Sequence, residues 1–158
     1  MRLTLVLLRH GEAEDQAPGP PGPRGRDHGR RLTRRGRTEA LAAVARCGAT
    51  APALVLASDA VRTRETAEIL AGALSVRLEL HPELYLGATG AHAKVVAGVG
   101  PDVSVLVLVG HNPVLSTWAS RLSGDFVSLD TGDSVTLSIE ARDFAEAVAL
   151  AGGWQAVS

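Results

Sequence analysis

The chain has little of several features that mark particular classes of protein. Cys47 is the only cysteine among 158 residues, so no intramolecular disulfide can form and a disulfide-stapled secreted domain is excluded. Sixteen basic and 17 acidic residues leave a formal net charge of -1, without the broad positive field of a nucleic-acid-binding protein. Aromatic residues make up only 3% of a chain that is 46% hydrophobic. This length and content predict one domain with a single core, residues 1–158.

Long hydrophobic runs are also missing. The apolar run from Leu3 to Leu8 is too short for a signal peptide and ends in Arg9-His10 with no small-residue cleavage site. No other stretch approaches the length of a transmembrane helix. We therefore expect a cytoplasmic protein without a membrane partner. The sequence does not indicate an oligomeric state.

Recognisable metal and dinucleotide signatures are absent as well. Glu12, Glu14 and Asp15 stand near a histidine, but their spacing fits no standard set of metal ligands. No Gly-x-Gly-x-x-Gly turn opens a helix, which argues against a dinucleotide-binding fold. We expect neither a metal nor a cofactor.

What the chain does have is an alternation of short apolar runs with helical patterns. The predicted strands are 3–8, 54–57, 76–80, 103–109, 134–139 and 154–157, and the predicted helices are 32–47, 59–74, 91–99, one opened by Pro113, and 144–150. This alternation predicts an α/β three-layer sandwich, with a mostly parallel central sheet and helices on both faces. A Pro-, Gly- and Arg-rich loop at about 12–31 is expected to be mobile.

Residues able to carry chemistry stand just after these strands. His10 follows the first strand and His111 follows the run 103–109, while Arg62 falls in the first turn of a helix. Ligands bind at the carboxyl ends of the strands in open α/β sheets. Two histidines beside Arg9 and Arg62 therefore predict a site for a phosphoryl group.

Five motifs in order resemble those of the histidine phosphatase superfamily, the phosphoglycerate mutase-like proteins. Within it, the chain is most similar to the short SixA-type phosphohistidine phosphatases. The motifs are Arg9-His10-Gly11-Glu12, Leu32-Thr33-x-x-Gly36, Ser58-Asp59-x-x-Arg62, Pro82-Glu83-Leu84 and Gly110-His111-Asn112-Pro113.

The resemblance implies a role for each matched residue. His10 is the expected nucleophile, attacking phosphorus as a neutral imidazole to form a phosphohistidine intermediate, and Glu83 is the expected general acid and base. His111 is expected to be a cation that stabilises the charge of the phosphoryl group. The residues expected to bind that group are Arg9, Gly11, Arg30, Arg62, His111 and Asn112.

Three functions remain open at this stage. The first is a metal-independent phosphatase acting on phosphohistidine in a signalling or phosphotransfer protein. The chain between Glu83 and His111 is too short for a covering insertion, and an open site suits such a bulky substrate. The second is a phosphatase for a small phosphomonoester or nucleotide-derived metabolite. The third, a non-catalytic phospho-binding module, is disfavoured because binding alone needs neither His10 nor Glu83.

Some smaller expectations concern packing. The first helix is expected to bury Leu41, Val44 and Ala45, and the two tryptophans are expected in the core. The histidines outside the motifs and the cluster of loop arginines are interpreted as solvated. The alternative for the arginine cluster is a clamp for an acidic or phosphorylated partner, with Arg30 in the best position. These residues are Trp118, Trp154, His28, His81, His92, Arg24, Arg26 and Arg31.

Overall fold

A computed structural model describes residues 1–157 of the chain. Its strands are β1 (Arg2–Arg9), β2 (Leu54–Ala57), β3 (Arg77–Leu80), β4 (Val105–Gly110), β5 (Ser134–Glu140) and β6 (Gln155–Ala156). Its helices are α1 (Arg34–Gly48), α2 (Val61–Leu74), α3 (Glu83–Leu86), α4 (Thr89–Ala97), α5 (Val114–Ser123) and α6 (Phe144–Val148). A short 3-10 helix, Asp27–Gly29, lies in the long loop after β1. No helix in residues 1–157 is both long and apolar enough to cross a membrane.

The six strands form one sheet in the order β3-β2-β4-β1-β5-β6. The four strands from β3 to β1 are parallel, and β5 and β6 are antiparallel to their neighbours. Both faces are covered, because alternate residues of β1 enter different cores: Leu5 joins one with α5 and α6, and Val6 joins the other with α1 and α2. The predicted α/β three-layer fold is confirmed.

Helix α1 buries a different face from the one predicted. Its buried residues are Gly36, Ala40, Ala43 and Cys47, whereas Leu41 is 61% exposed, Ala45 is exposed and Val44 is only partly buried. A Cβ added at Gly48 would lie 2.9 Å from Leu74 Cδ2 on α2, so the two helices approach closely. Close approach favours small residues at the contact, and here it overrides the usual preference for burying leucine.

The structure adds four local features, one of which, the burial of His92, differs from the expectation. The segment 82–85 leads into the short helix α3. Helix α2 begins at Val61, and no side chain in residues 1–157 caps its N-terminus. Helix α5 begins at Val114, and Asn112 Oδ1 accepts the Ser116 N–H from two residues before the helix. His92 is fully buried with its Nδ1 bonded to Ala88 O at 2.9 Å.

The expected tryptophan packing is confirmed, and the strand register determines where the site lies. Trp118 and Trp154 are 3% and 1% exposed. Arg9 pairs with Gly110 between β1 and β4, and Ala57 pairs with Val109 between β2 and β4. The residues that follow these three strands therefore emerge side by side at one carboxyl edge.

Candidate active site

The floor of this edge consists of His10, Arg62 and His111. These residues are 7%, 7% and 6% exposed, respectively, and the two imidazole centroids lie 5.4 Å apart. The backbone N–H of His10 donates to Gly110 O at 3.1 Å, so the β1–β4 ladder itself holds the histidines together. The sequence-predicted pair thus forms one cluster.

The imidazole of His10 is held in a defined tautomer. Its Nδ1 lies 2.7 Å from Gly11 O. Because a carbonyl oxygen only accepts, Nδ1 carries the hydrogen in the neutral ring, and Nε2 keeps its lone pair. Burial lowers the pKa of His10 to about 4; the hydrogen bond to Gly11 opposes the shift, and the charges of Arg62, Arg9 and Arg30 add to it. His10 is therefore neutral at neutral pH, as nucleophilic attack requires.

His111 is also neutral in the free site, and the expected cation beside bound phosphate stays a prediction. Burial lowers its pKa to about 3, with Arg62 and His10 adding to the shift and the negative charge of Asp27 opposing it. Its Nε2 lies 2.8 Å from the Ser58 hydroxyl, while its buried Nδ1 has no hydrogen-bond partner within residues 1–157. Arg62, which is expected to bind phosphate, thus adds to the effect of burial in keeping the His111 ring uncharged.

Arg62 is the second residue of α2, and its guanidinium is tied to the loop after β1. One terminal nitrogen donates to Asp27 O at 2.8 Å and the other to Asp27 Oδ2 at 3.1 Å. Arg9 donates to Leu129 O at 3.1 Å, and its buried Nε has no partner among the described residues. Both predicted arginines therefore flank the histidine pair with fixed side chains.

Packing requires a glycine at position 11, in addition to the expected role of Gly11 in binding phosphate. A Cβ there would lie 2.3 Å from Gly36 O at the start of α1, and its own N–H donates to Thr66 Oγ1 at 3.1 Å. Asn112 is likewise engaged within the protein, donating to Leu129 O at 2.7 Å and accepting from Ser116. In this structure both residues support the floor, and their binding of phosphate stays a prediction.

The rim of the site is formed by Asp27, Tyr85 and Glu83, and the first two were missed by sequence reasoning. The Tyr85 hydroxyl donates to Asp27 Oδ2 at 2.5 Å, and its ring centroid lies 5.6 Å from that of His111 and 4.8 Å from that of His28. Asp27 belongs to the long loop, so this loop reaches the site. Its predicted mobility stays a prediction.

Glu83 is assigned to the rim because it lies two residues before Tyr85 on α3. Its carboxylate is 54% exposed and 3.1 Å from His81 Nδ1. In residues 1–157 no hydrogen bond joins Glu83 to any of the three floor residues. Its role as general acid therefore stays a prediction.

The loop arginines Arg24, Arg26 and Arg31 are exposed, as predicted, and most of the loop's charged side chains are also paired. Arg30 donates to Asp27 Oδ1 at 2.9 Å and to Glu14 O at 2.6 Å. Arg24 forms an ion pair with Asp59 at the start of α2, and His28 Nε2 lies 3.0 Å from the same carboxylate. The two contacts to Asp59 join the loop to the segment just before α2. The contacts of Arg30 lie within the loop and hold this residue beside the site.

The comparisons with known proteins agree with this geometry. The family model of histidine phosphatase superfamily branch 1 matches residues 5–85. An uncharacterised chloroplastic protein of Arabidopsis thaliana is 31% identical over 168 aligned positions, which cover 96% of this chain and 74% of the relative. The chain belongs to the histidine phosphatase superfamily.

Solved structures of this superfamily extend the match along the whole chain. The putative phosphohistidine phosphatase SixA from Nakamurella multipartitia has a TM-score of 0.81 and 28% identity, covering 100% of this chain and 95% of that one. A putative SixA from Agrobacterium tumefaciens has a TM-score of 0.79 and 23% identity, covering 99% and 96%. The predicted SixA-type branch and the phosphatase class of enzyme are confirmed.

Proposed function

We propose that this histidine phosphatase hydrolyses phosphohistidine in a signalling or phosphotransfer protein, through a covalent intermediate on His10. The observation that carries the proposal is the His10 tautomer. With Nδ1–H donated to Gly11 O at 2.7 Å and the pKa lowered to about 4, Nε2 offers a free lone pair at neutral pH.

The first step transfers the phosphoryl group to His10. Nε2 forms a bond to phosphorus as the substrate's P–N bond breaks, and the departing imidazole nitrogen takes a proton. The guanidinium groups of Arg9 and Arg62 balance the charge on the phosphoryl oxygens. The unpartnered Nδ1 of His111 is a further hydrogen-bond donor to them when Nε2 accepts from Ser58.

The second step releases phosphate. A water oxygen forms a bond to phosphorus as the P–N bond to His10 breaks, and the water gives up a proton. Glu83 on α3 is the carboxylate assigned to proton transfer, as donor in the first step and acceptor in the second. No described group of three or more His, Cys, Asp or Glu residues in 1–157 is arranged to hold a metal. In this proposal the arginines and His111 balance the phosphoryl charge.

Two exposed apolar side chains favour a protein substrate. Leu86, next to Tyr85 on α3, is 84% exposed, and Phe126 is 90% exposed in a surface groove that it shares with Asn112 and Pro113. Large exposed apolar residues beside a polar site are typical of protein interaction surfaces. The similarity to proteins described as putative phosphohistidine phosphatases points to the same substrate class.

The substrate class is tested by comparing a phosphohistidine-bearing phosphotransfer protein with a panel of small phosphomonoesters and nucleotide-derived metabolites. We expect kcat/KM to favour the phosphoprotein about 100-fold or more. The double variant Leu86→Ser, Phe126→Ser should lower kcat/KM for the protein about 10-fold, a loss of roughly 1.4 kcal/mol of apolar contact, and leave p-nitrophenyl phosphate turnover unchanged.

The matched control is Leu41→Ser, which removes an apolar residue that is 61% exposed on the outer side of α1. This control should change neither activity. A small metabolite that equals or exceeds the phosphoprotein would establish the alternative function. Equal losses on both substrates in the double variant would contradict the protein-docking argument.

A further inference from the structure

We propose that Asp27 is a positioning residue for phosphate binding: its carboxylate and its carbonyl together fix the guanidinium of Arg62 beside the two histidines. The inference rests on the proposed role of Arg62 in holding the phosphoryl group. It assigns a function in the site to a loop residue that lies outside the matched motifs.

The contact between the two residues has the form of a fork. Both terminal nitrogens of Arg62 are used, one for Asp27 O at 2.8 Å and one for Asp27 Oδ2 at 3.1 Å. Two hydrogen bonds to one residue define the plane of the guanidinium as well as its position. A single bond would leave the group free to rotate.

Asp27 is itself held from two further sides. Arg30 donates to Oδ1 at 2.9 Å, and the Tyr85 hydroxyl donates to Oδ2 at 2.5 Å. Partial burial alone would raise the pKa of Asp27, but the hydrogen bonds from Tyr85, Arg30 and Arg62 and the Arg62 charge hold it well below its usual range. The carboxylate therefore stays ionised and keeps its grip on Arg62 throughout the neutral range.

Asp27 does not occupy all of the hydrogen-bond donors of Arg62. Arg62 has five N–H donors, and Asp27 takes two of them, which leaves three for a ligand. The Tyr85 hydroxyl that donates to Asp27 Oδ2 belongs to a ring whose centroid lies 5.6 Å from that of His111. The carboxylate thus holds Arg62 from the side of Tyr85.

A matched control exists in the same loop. Asp59 binds Arg24 and His28, so it also ties the loop to the start of α2, but it does not contact Arg62. A loss that arises from loosening of the loop should be similar in Asp27→Asn and Asp59→Asn. A loss that arises from misplacement of Arg62 should occur only in Asp27→Asn.

The experiment measures tungstate binding by calorimetry, together with kcat and KM for p-nitrophenyl phosphate and the urea midpoint of each variant. We expect Asp27→Asn to weaken tungstate binding and to lower kcat, each about 10-fold, as for the loss of orientation of one charged group. Tyr85→Phe should give a smaller loss in the same direction. Asp59→Asn should match wild type in tungstate binding and in kcat, even if its urea midpoint shifts as much as that of Asp27→Asn.

A double-mutant cycle with Arg62→Ala decides the mechanism. Because Asp27 acts through Arg62, adding Asp27→Asn to Arg62→Ala should cause no further loss of tungstate affinity. An additive loss, or an Asp27→Asn protein that binds tungstate as well as or better than wild type, would overturn the proposal; tighter binding would mark Asp27 as a competitor. If Arg62→Ala alone binds tungstate normally, the proposed role of Arg62 fails instead, so the two failures are distinguishable.

Discussion

The floor and the rim of the site are built in different ways. The floor residues His10, Arg62 and His111 are at most 7% exposed, and each stands at a strand end or in the first turn of a long helix. The rim carboxylates of Asp27 and Glu83 are 51% and 54% exposed, on a 3-10 turn and a four-residue helix. The buried strand ends and the long helix thus hold the groups assigned to nucleophilic attack and phosphate binding. The exposed segments hold those assigned to orientation, proton transfer and recognition.

The largest mutational effect is expected on the floor. His111→Gln should lower kcat about 10²-fold or more, the scale for loss of one preorganised group that stabilises charge. The acid limb of kcat/KM should survive, because it reports His10, whose pKa is about 4 and whose protonation below that pH removes the nucleophilic lone pair. A pH series on both proteins with the same chromogenic phosphomonoester measures this, and ionisation of the substrate affects both equally.

Full activity in His111→Gln would show that the buried ring is only structural. Loss of the acid limb in that variant would mean that His111, rather than His10, must be unprotonated for the reaction. Either outcome would contradict the roles assigned here to the two floor histidines.

An intermediate effect is expected on the rim, and it should depend on the leaving group. Glu83→Gln should slow hydrolysis of an alkyl phosphate about 10²-fold, because an alkoxide needs a proton to depart. It should slow p-nitrophenyl phosphate much less, since that leaving group departs readily as an anion. The control is His81→Gln, which removes the partner 3.1 Å from Glu83 and keeps the carboxylate. Equal losses on both substrates would argue against general-acid catalysis by Glu83.

The smallest effect concerns stability in acid. His10 has its pKa lowered from 6.5 to about 4, so at pH 5 the unfolded chain binds a proton there that the folded chain does not. Stability from this residue is complete above the unfolded pKa of 6.5 and declines as the pH falls from there towards 4. The loss at pH 5 is about 2 kcal/mol by linkage.

Urea unfolding of wild type and His10→Gln at pH 7 and pH 5 tests this, because glutamine does not titrate. The variant should lose less stability on acidification than wild type by about that amount. An equal loss in both proteins would mean that His10 is not buried as a neutral ring.

The floor could be predicted from the sequence because its positions follow from local patterns. The apolar runs before His10 and His111 indicate buried parallel strands, and parallel neighbours bring their carboxyl ends to one edge. Arg62 follows from the helix that begins directly after β2. No long-range information beyond the strand order is needed to bring these residues together.

Two of the three rim residues, Asp27 and Tyr85, could not be predicted in this way. Asp27 meets Arg62 and Tyr85 only through the path of a long loop that has no apolar periodicity, and its partners are 35 and 58 residues away. The predicted buried face of α1 was wrong for a related reason. Close contact with α2 leaves room for alanines there and not for Leu41. His92 was expected to be solvated, but it packs against Trp118, with ring centroids 5.8 Å apart. Tertiary contacts decide all three.

The most direct test of the account is to trap the covalent intermediate. Wild-type protein mixed rapidly with a labelled phosphohistidine protein and quenched in alkali should carry acid-labile, alkali-stable phosphate on Nε2 of His10, located by peptide mapping and phosphorus NMR. His10→Ala should carry none and should have lost turnover while remaining folded. Phosphate on a serine or aspartate, or near-normal turnover by His10→Ala, would contradict the claim that the floor supplies the nucleophile.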